Sequence, residues 1–312
     1  MSRIYVIHEN NAWVEPLREA LAWYELPYDE WYLDGGDTPL DIAPPDGVFY
    51  NRMSASSHTR GHRFAPEQTA VVLSWLERYG RVVVNDSRAL RLEVSKVAQY
   101  AALQGHGVAT PRTVAAVGRD AIVQAARRFD GTPVVVKPNR GGSGKGVRRF
   151  DAPQALRAYV GSDTFEESLD GVTLVQEFIE PLHGFITRAE FVGGRFLYAV
   201  RVHTGGTFEL CPADPCAVEG EHRPGRAAPT FTITHEMDGA LHTAYAGVLQ
   251  EHGVGIGALE FVTDARGRTC TYDLNTNTNY NAAAEAAAGK FGMREIARFL
   301  GGRLAVLDSQ AA

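Results

Sequence analysis

Val134-Val135-Val136-Lys137-Pro138-Asn139-Arg140-Gly141-Gly142-Ser143-Gly144-Lys145-Gly146-Val147 passes from a β-branched run into a lysine, then a basic glycine loop, then an apolar residue again. Glycine has no Cβ, so the four glycines in residues 141–146 let backbone N–H groups approach a ligand closely. Successive N–H groups, with Arg140 and Lys145, make a concave positive site suited to phosphate oxygens. A solvated hairpin loop is the plainer alternative. Two familiar nucleotide patterns fail here. Gly144-Lys145 has Asn139 where a Walker loop needs its first glycine, and Gly146 where it needs Ser or Thr. Gly142-x-Gly144-x-Gly146 is one residue short of a dinucleotide fingerprint. Apolar runs on both sides predict strand-loop-strand, with the glycines as a flap.

The remainder of the chain bounds what such a flap serves. At 312 residues it can bury a sizeable core in two or three lobes, and 45% hydrophobic with 22% charged residues is ordinary for a globular protein. A net charge of −6 gives no reason to expect nucleic-acid binding. No apolar run approaches the ~20 residues that span a bilayer. The opening Met1-Ser2-Arg3-Ile4-Tyr5-Val6-Ile7 is too short and too strand-like for a signal peptide, so a cytoplasmic enzyme is expected, without a membrane partner. Cys211, Cys216 and Cys270 make no disulfide framework; even with His203 and His222 nearby, reduced thiols are favoured over a zinc site.

Hydrophobic spacing predicts strands at 3–8, 28–33, 47–50 and 81–84 alternating with helices at 13–26 and 66–79, an open, mostly parallel sheet. A long helix over 90–104 follows and contains Lys96. Strand 112–117, helix 119–129 and strand 133–137 begin a small lobe. Strands are expected at 185–192, 195–203 and 206–211, then a Pro/Gly-rich loop over 212–229. A helix at 238–252, strands at 254–263 and 269–275, and an alanine-rich helical end complete the chain.

Three separated features then coincide: Lys96 after the first sheet, Lys137 before the flap, and paired strands carrying Glu260, Asp273 and Asn275. Their order resembles the ATP-grasp superfamily, in its ribosomal-protein glutamate-ligase-like (RimK-like) branch. The resemblance covers residues 47 to 300. It implies an α/β protein with α+β lobes: an N-terminal open parallel α/β domain (1–95), a small lobe with the flap (96–180), and a C-terminal lobe with a metal site (181–312). By that resemblance Lys96 and Lys137 contact phosphates under the flap of Gly141, Gly142, Ser143, Gly144, Lys145 and Gly146. Gln176, Glu177, Phe178 and Ile179 meet the adenine edge. Glu260, Asp273 and Asn275 hold Mg²⁺, with Mn²⁺ as the alternative ion, and Arg188 and Arg201 belong to the central lobe, Arg201 near the transferred phosphate. Ile186 stands where close relatives carry Asp, which leaves ribose to Glu190 or to the backbone.

The residue chemistry agrees. Mg²⁺ bound to phosphates prefers one or two carboxylates plus water, and Glu260 lies in an apolar run where a carboxylate wants a cation. Without the resemblance, Lys96 would read as an exposed helix lysine and Lys137 as a surface residue at a strand end. The expected function is an ADP-forming carboxylate–amine ligase working through an acyl phosphate, using ATP and small-molecule carboxylate and amine substrates. The alternatives are a phosphotransferase of the same fold or a nucleotide-binding regulator without turnover. Self-association into a homo-oligomer fits any of these. For the substrates, Arg52 at the end of strand 47–50 suits a carboxylate, with His58 and Arg60 adding positive potential. Asn279 and Asn281 offer hydrogen bonds to a polar acceptor, unless they merely cap the following helix.

Overall fold

In the N-terminal sheet, alternate residues of each strand feed two different cores. Strands β1 (Arg3–His8), β2 (Tyr28–Tyr32), β3 (Gly47–Asn51) and β4 (Val82–Val84) pair in parallel in the order β2-β1-β3-β4. Ile4, Val6, Val48 and Tyr50 pack against Val14, Leu17 and Leu21 of α1 (Asn11–Trp23) and against Ile296 and Leu300 of the last helix, α9 (Gly292–Ala311). Tyr5, Ile7 and Phe49 face the other way, onto Val72, Leu73 and Leu76 of α2 (Ala65–Arg78). A parallel sheet covered on both faces explains why β1 and β3 read as continuous apolar runs. The structure is a computed structural model and describes residues 2–142, 144–203 and 230–311.

Residues 90–104 do not form one helix. Two short ones, α3 (Ser87–Glu93) and α4 (Lys96–Gly105), meet at an extended Ser95 (φ −146°, ψ 107°) whose hydroxyl caps the Ala98 N–H. Asn139 takes the N–H groups of Lys96 and Val97 on its carbonyl and side-chain oxygens, at 3.2 and 2.9 Å. Capping from the strand-loop-strand segment therefore outcompetes helix continuation. Lys96 sits in a helix first turn, pinned to the root of the flap.

The small lobe is an antiparallel sheet ordered β5-β8-β6-β7, from β5 (Thr113–Val117), β6 (Val134–Pro138), β7 (Arg148–Phe150) and β8 (Val172–Glu177). Helices α5 (Arg119–Arg127) and α6 (Pro153–Gly161) cover it. β6 and β7 are joined through the glycine loop, as the apolar flanks predicted.

The third sheet is antiparallel, ordered β11-β10-β9-β12-β13, from β9 (Phe185–Val192), β10 (Arg195–His203), β11 (Thr230–Thr234), β12 (Ile256–Thr263) and β13 (Thr269–Asn275). α7 (Gly239–Glu251) and α4 pack on one face, and α8 (Ala282–Ala288) leads into α9. β11 was not expected from the sequence. The strand expected at 206–211, the loop 212–229, and Ser143, Cys211, Cys216 and His222 lie outside the described residues. Cys270 is a buried free thiol. Asn85, at φ +61°, ties the first sheet to the third through the carbonyls of Ile256 and Thr276 (2.9 and 2.8 Å). Among the described residues no helix is long and apolar enough to cross a membrane.

Candidate active site

Strand register builds the site. Arg188 on β9 pairs with Glu260 on β12, and Glu260 pairs with Asp273 on β13, so three charged side chains lie in one row across one sheet face. Residues opposite one another in a ladder share a face. The β12–β13 register then slips, with Phe261 opposite Thr271, and Tyr272 becomes the extra residue of a bulge. A bulge re-aims side chains; here Tyr272 and Asp273, neighbours in sequence, both line the cleft. Asn275, two residues on, shares the face of Asp273.

Two lysines meet this row. Lys96 Nζ lies 2.5 Å from Asp273 Oδ1. Lys137 Nζ donates to Tyr100 Oη at 2.7 Å and to the Tyr272 carbonyl at 3.3 Å, without a carboxylate of its own. Burial, then the neighbouring Lys96 charge, pulls the Lys137 amine down to about 7, against Asp273 and Glu260, which hold it up. Glu260 accepts from Arg188 at 3.2 Å and from the Asn275 amide at 3.3 Å. Burial nevertheless pushes its carboxyl above the usual range, Arg188 opposing and Asp273 reinforcing. For Arg188, burial works against the charged form, but Glu190 and Glu260 outweigh it and raise the guanidinium further. The cluster is largely buried and strongly charged, the environment in which an added polyanion and cation interact most strongly.

Above it, Gly144 and Gly146 turn at φ +71° and +75°, a region that disfavours a side chain. A Cβ on Gly142 would lie 3.4 Å from Ser56 of the N-terminal domain. Lys145 is exposed at the tip. Arg140 is committed elsewhere: it pairs with Glu67 of α2 and donates to the Arg63 carbonyl, which ties the flap root to the N-terminal domain. At the far end, Gln176 bonds Tyr100 Oη (2.6 Å) and Thr113 (2.9 Å), and Glu177 holds Arg268 and the Arg112 N–H. The backbone N–H groups of Glu177 and Phe178 already donate to the carbonyls of Arg112 and Pro133. An adenine edge here would therefore meet carbonyls, or Ile179, rather than those two donors.

Glu260, Asp273 and Asn275 offer two carboxylates and an amide, each carboxylate already facing one protein cation. Among the described residues no group of three or more His, Cys, Asp or Glu side chains is placed to hold a metal alone. Such a donor set fits a hard cation that takes its remaining oxygens from phosphate and water.

No family model matches the chain. Over 150 residues it is 33% identical to a probable alpha-L-glutamate ligase of Teredinibacter turnerae (strain ATCC 39867 / T7901), covering 45% of this chain and 49% of that protein. The chain thus spans about half the length of the curated relatives it matches. Across 96% of its length it superimposes on 99% of the ATP-grasp ligase PsnB complexed with minimal precursor, with a TM-score of 0.67 at 18% identity. The chain has the ATP-grasp fold. D-cycloserine synthetase DcsG shares it at a TM-score of 0.65 and 18% identity, over 96% of this chain and 99% of that one. PsnB complexed with minimal precursor, Mg and ADP gives 0.65 at 17% identity, over 96% and 97%.

Within this ATP-grasp fold, Lys96, Lys137, Arg188, Glu260, Asp273 and Asn275 line one cleft of about 320 Å³ with Gly141, Gly142, Gly144, Lys145, Gln176, Glu177, Phe178, Ile179 and Asn279. Other expected residues are placed differently. Arg201 pairs with Thr187, one residue off Arg188, so it projects from the opposite sheet face, its guanidinium 5.3 Å from the Phe185 ring. Arg52 is 1% exposed and donates to the carbonyls of Trp13 and Thr278 and to Asn279 Oδ1, at 3.1, 3.2 and 3.0 Å. Arg60 is clamped by buried Glu9 and lies over Trp13. His58 bonds the Ala55 carbonyl at 3.1 Å, and burial lowers its basicity. Asn281 caps α8 through the Ala284 N–H at 2.9 Å. Ile186 lines the cleft as an apolar side chain, while Glu190, bonded to Arg188 on the same strand face, borders a separate small cavity.

Sequence reasoning missed Tyr100, which links Lys137 to Gln176, and Glu93. Glu93 accepts from the Ala55 N–H, the Thr276 N–H and the Thr276 hydroxyl (3.0, 2.9 and 2.9 Å), joining the N-terminal loop to the segment after Asn275. Burial raises its carboxyl. Neither stands in a motif; a Tyr at i+4 from Lys96 was the faint signal for the first.

Proposed function

We propose that the protein is an ATP-dependent, ADP-forming carboxylate–amine ligase. Its three regions divide the work: residues 1–95 complete the substrate side, 96–180 carry the flap, and 181–312 carry the metal ligands. The observation that carries this reading is the buried row Arg188–Glu260–Asp273 with Lys96 and Lys137 beneath a glycine flap. Phosphoryl transfer is governed by positioning and charge stabilisation, and the cleft offers cations and hard oxygens in place of a nucleophilic side chain. Lys96 and Lys137 would contact phosphate oxygens, and Arg188 would hold the substrate carboxylate or the phosphoryl group moving to it. Glu260, Asp273 and Asn275 would hold Mg²⁺, or Mn²⁺ in its place, whose chemistry is to neutralise phosphate charge.

In the first step a carboxylate oxygen of the substrate attacks the γ-phosphorus of ATP and ADP leaves. In the second, an amine attacks the acyl carbon, phosphate leaves, and the amine loses a proton. The flap excludes water from the acyl phosphate. Amino acids or peptides are the proposed substrates, in keeping with the glutamate-ligase name of the sequence relatives and the precursor bound by PsnB. A cytoplasmic setting follows from the ATP requirement. Measuring ADP release against a panel of amino acids and short peptides tests the reading. Release that needs both a carboxylate and an amine supports it. Release with hydroxyl acceptors alone would make the protein a phosphotransferase instead.

A further inference from the structure

Beside the cleft lies a second, much smaller cavity. Asn279 lines both. The small cavity holds about 10 Å³, room for one water-sized group. Its charged wall is Glu190, on the same face of β9 as Arg188 and two residues along, a distance of ~7 Å. Glu190 is 1% exposed; Oε1 accepts from Arg188 Nε at 2.6 Å, but Oε2 is buried with no hydrogen-bond partner. An unpaired carboxylate oxygen inside a protein is costly unless something donates to it. Across the cavity stands a second buried acid, Glu285, whose Oε1 already accepts from the Tyr198 hydroxyl (2.5 Å) and the Gly292 N–H (2.6 Å). Val200, Ile233 and Ala284 supply apolar walls.

We propose that this cavity recognises a non-reacting primary ammonium group on one of the two substrates, with Glu190 Oε2 as its anchor. The inference rests on the ligase reading and names a substrate class for it. The volume suits an ammonium and is too small for a guanidinium. Three N–H donors match an orphan acceptor that faces a second carboxylate, Glu285, and the apolar walls suit an adjoining methylene. With the ammonium held here, a short aliphatic spacer passing Asn279 brings the other end of the molecule to the row at Arg188 and Glu260. The favoured substrate is therefore a basic amino acid or an α,ω-diamine rather than its uncharged isostere.

The test uses matched probes that differ only in the terminal ammonium: lysine against norleucine, and 1,4-diaminobutane against butylamine. Binding is measured by calorimetry on the full chain with a non-hydrolysable ATP analogue and Mg²⁺ present. We expect the ammonium member of at least one pair to bind tenfold or more tighter. Glu190→Gln should collapse that ratio towards one. Ala284→Val, which fills the cavity while leaving the Arg188–Glu190 pair intact, should do the same. Equal binding within both pairs, or a preference that survives both substitutions, overturns the proposal and leaves the cavity to a buried water. Binding decides this inference; ADP release separately decides the ligase reading, so one can fail without the other.

Discussion

Two clusters of charge, one on the third sheet and one at the end of β3, look equally functional as sequence but differ once folded. In the row Arg188–Glu260–Asp273, every charge is paired, yet atoms are left over: one Arg188 Nη and one Glu190 oxygen are buried without partners, and Lys137 faces no carboxylate directly. Around Arg52 and Arg60 most donors are committed to main-chain carbonyls, to Asn279 and to the buried Glu9, although Arg52 Nε is itself buried without a partner. The first region is arranged to receive something. The second holds the N-terminal domain to the segment after Asn275. What separates the two is that Arg188 and Lys137 line the open cleft, whereas Arg52 and Arg60 do not.

Substitutions can break this contrast. Asp273→Asn should abolish ADP formation, a loss of at least ~10³-fold, because it removes a charge facing both Lys96 and the proposed metal. The melting temperature should change little, and near-normal turnover would remove Asp273 from the site. Arg52→Ala should do the reverse. It strands the Trp13 and Thr278 carbonyls and Asn279, which should destabilise the protein by about 2–4 kcal/mol in denaturant unfolding while nucleotide affinity stays within a few-fold. A variant of normal stability that fails to use a carboxylate substrate would return Arg52 to the substrate site.

Much of this was legible from the sequence, and the failures have physical causes. The order of strands, the flap and the lysine before it follow from period-two patterning and glycine chemistry, both local. Asp273 and Asn275 came with the resemblance; Glu260 was legible because an acid inside an apolar strand demands a cation. The face of Arg201 was not, since it depends on the register of β10 against β9, a tertiary property. Nor was the bulge at Tyr272, which makes sequence neighbours share a face. The break at Ser95 was hidden because Asn139, far along the chain, competes for the helix N–H groups. Arg60 and Arg52 likewise meet partners distant in sequence, which decide how much of each charge is available.

Lys137 offers a sharper probe of the receptive region. Its unfolded amine titrates near 10.5 and its folded amine near 7. Between those values the unfolded chain binds more protons, so the stability of nucleotide-free protein should rise with pH across that window, by up to ~1.4 kcal/mol per unit from this group. Phosphates need the charged amine, so nucleotide binding at pH 8 should take up a proton, seen as a buffer-dependent heat in calorimetry, and Lys137→Met should remove it. Binding without proton uptake would contradict the assigned role. The smallest effect belongs to the flap root. Glu67→Gln weakens a partly exposed pair with Arg140, worth about 0.2–1 kcal/mol. Residues 140–146 should then exchange amide hydrogens faster without nucleotide and regain protection when an ATP analogue binds; unchanged exchange would mean that Glu67 does not tether the flap.

The central claim is that the cleft activates a carboxylate with ATP. Hydroxylamine trapping tests it most directly: the protein is incubated with ATP, Mg²⁺, hydroxylamine and candidate carboxylates, and hydroxamate is measured against ADP. The account predicts hydroxamate in step with ADP, dependent on both ATP and the carboxylate, and absent in Asp273→Asn. ADP released with no hydroxamate, for a substrate the enzyme demonstrably turns over, would contradict it.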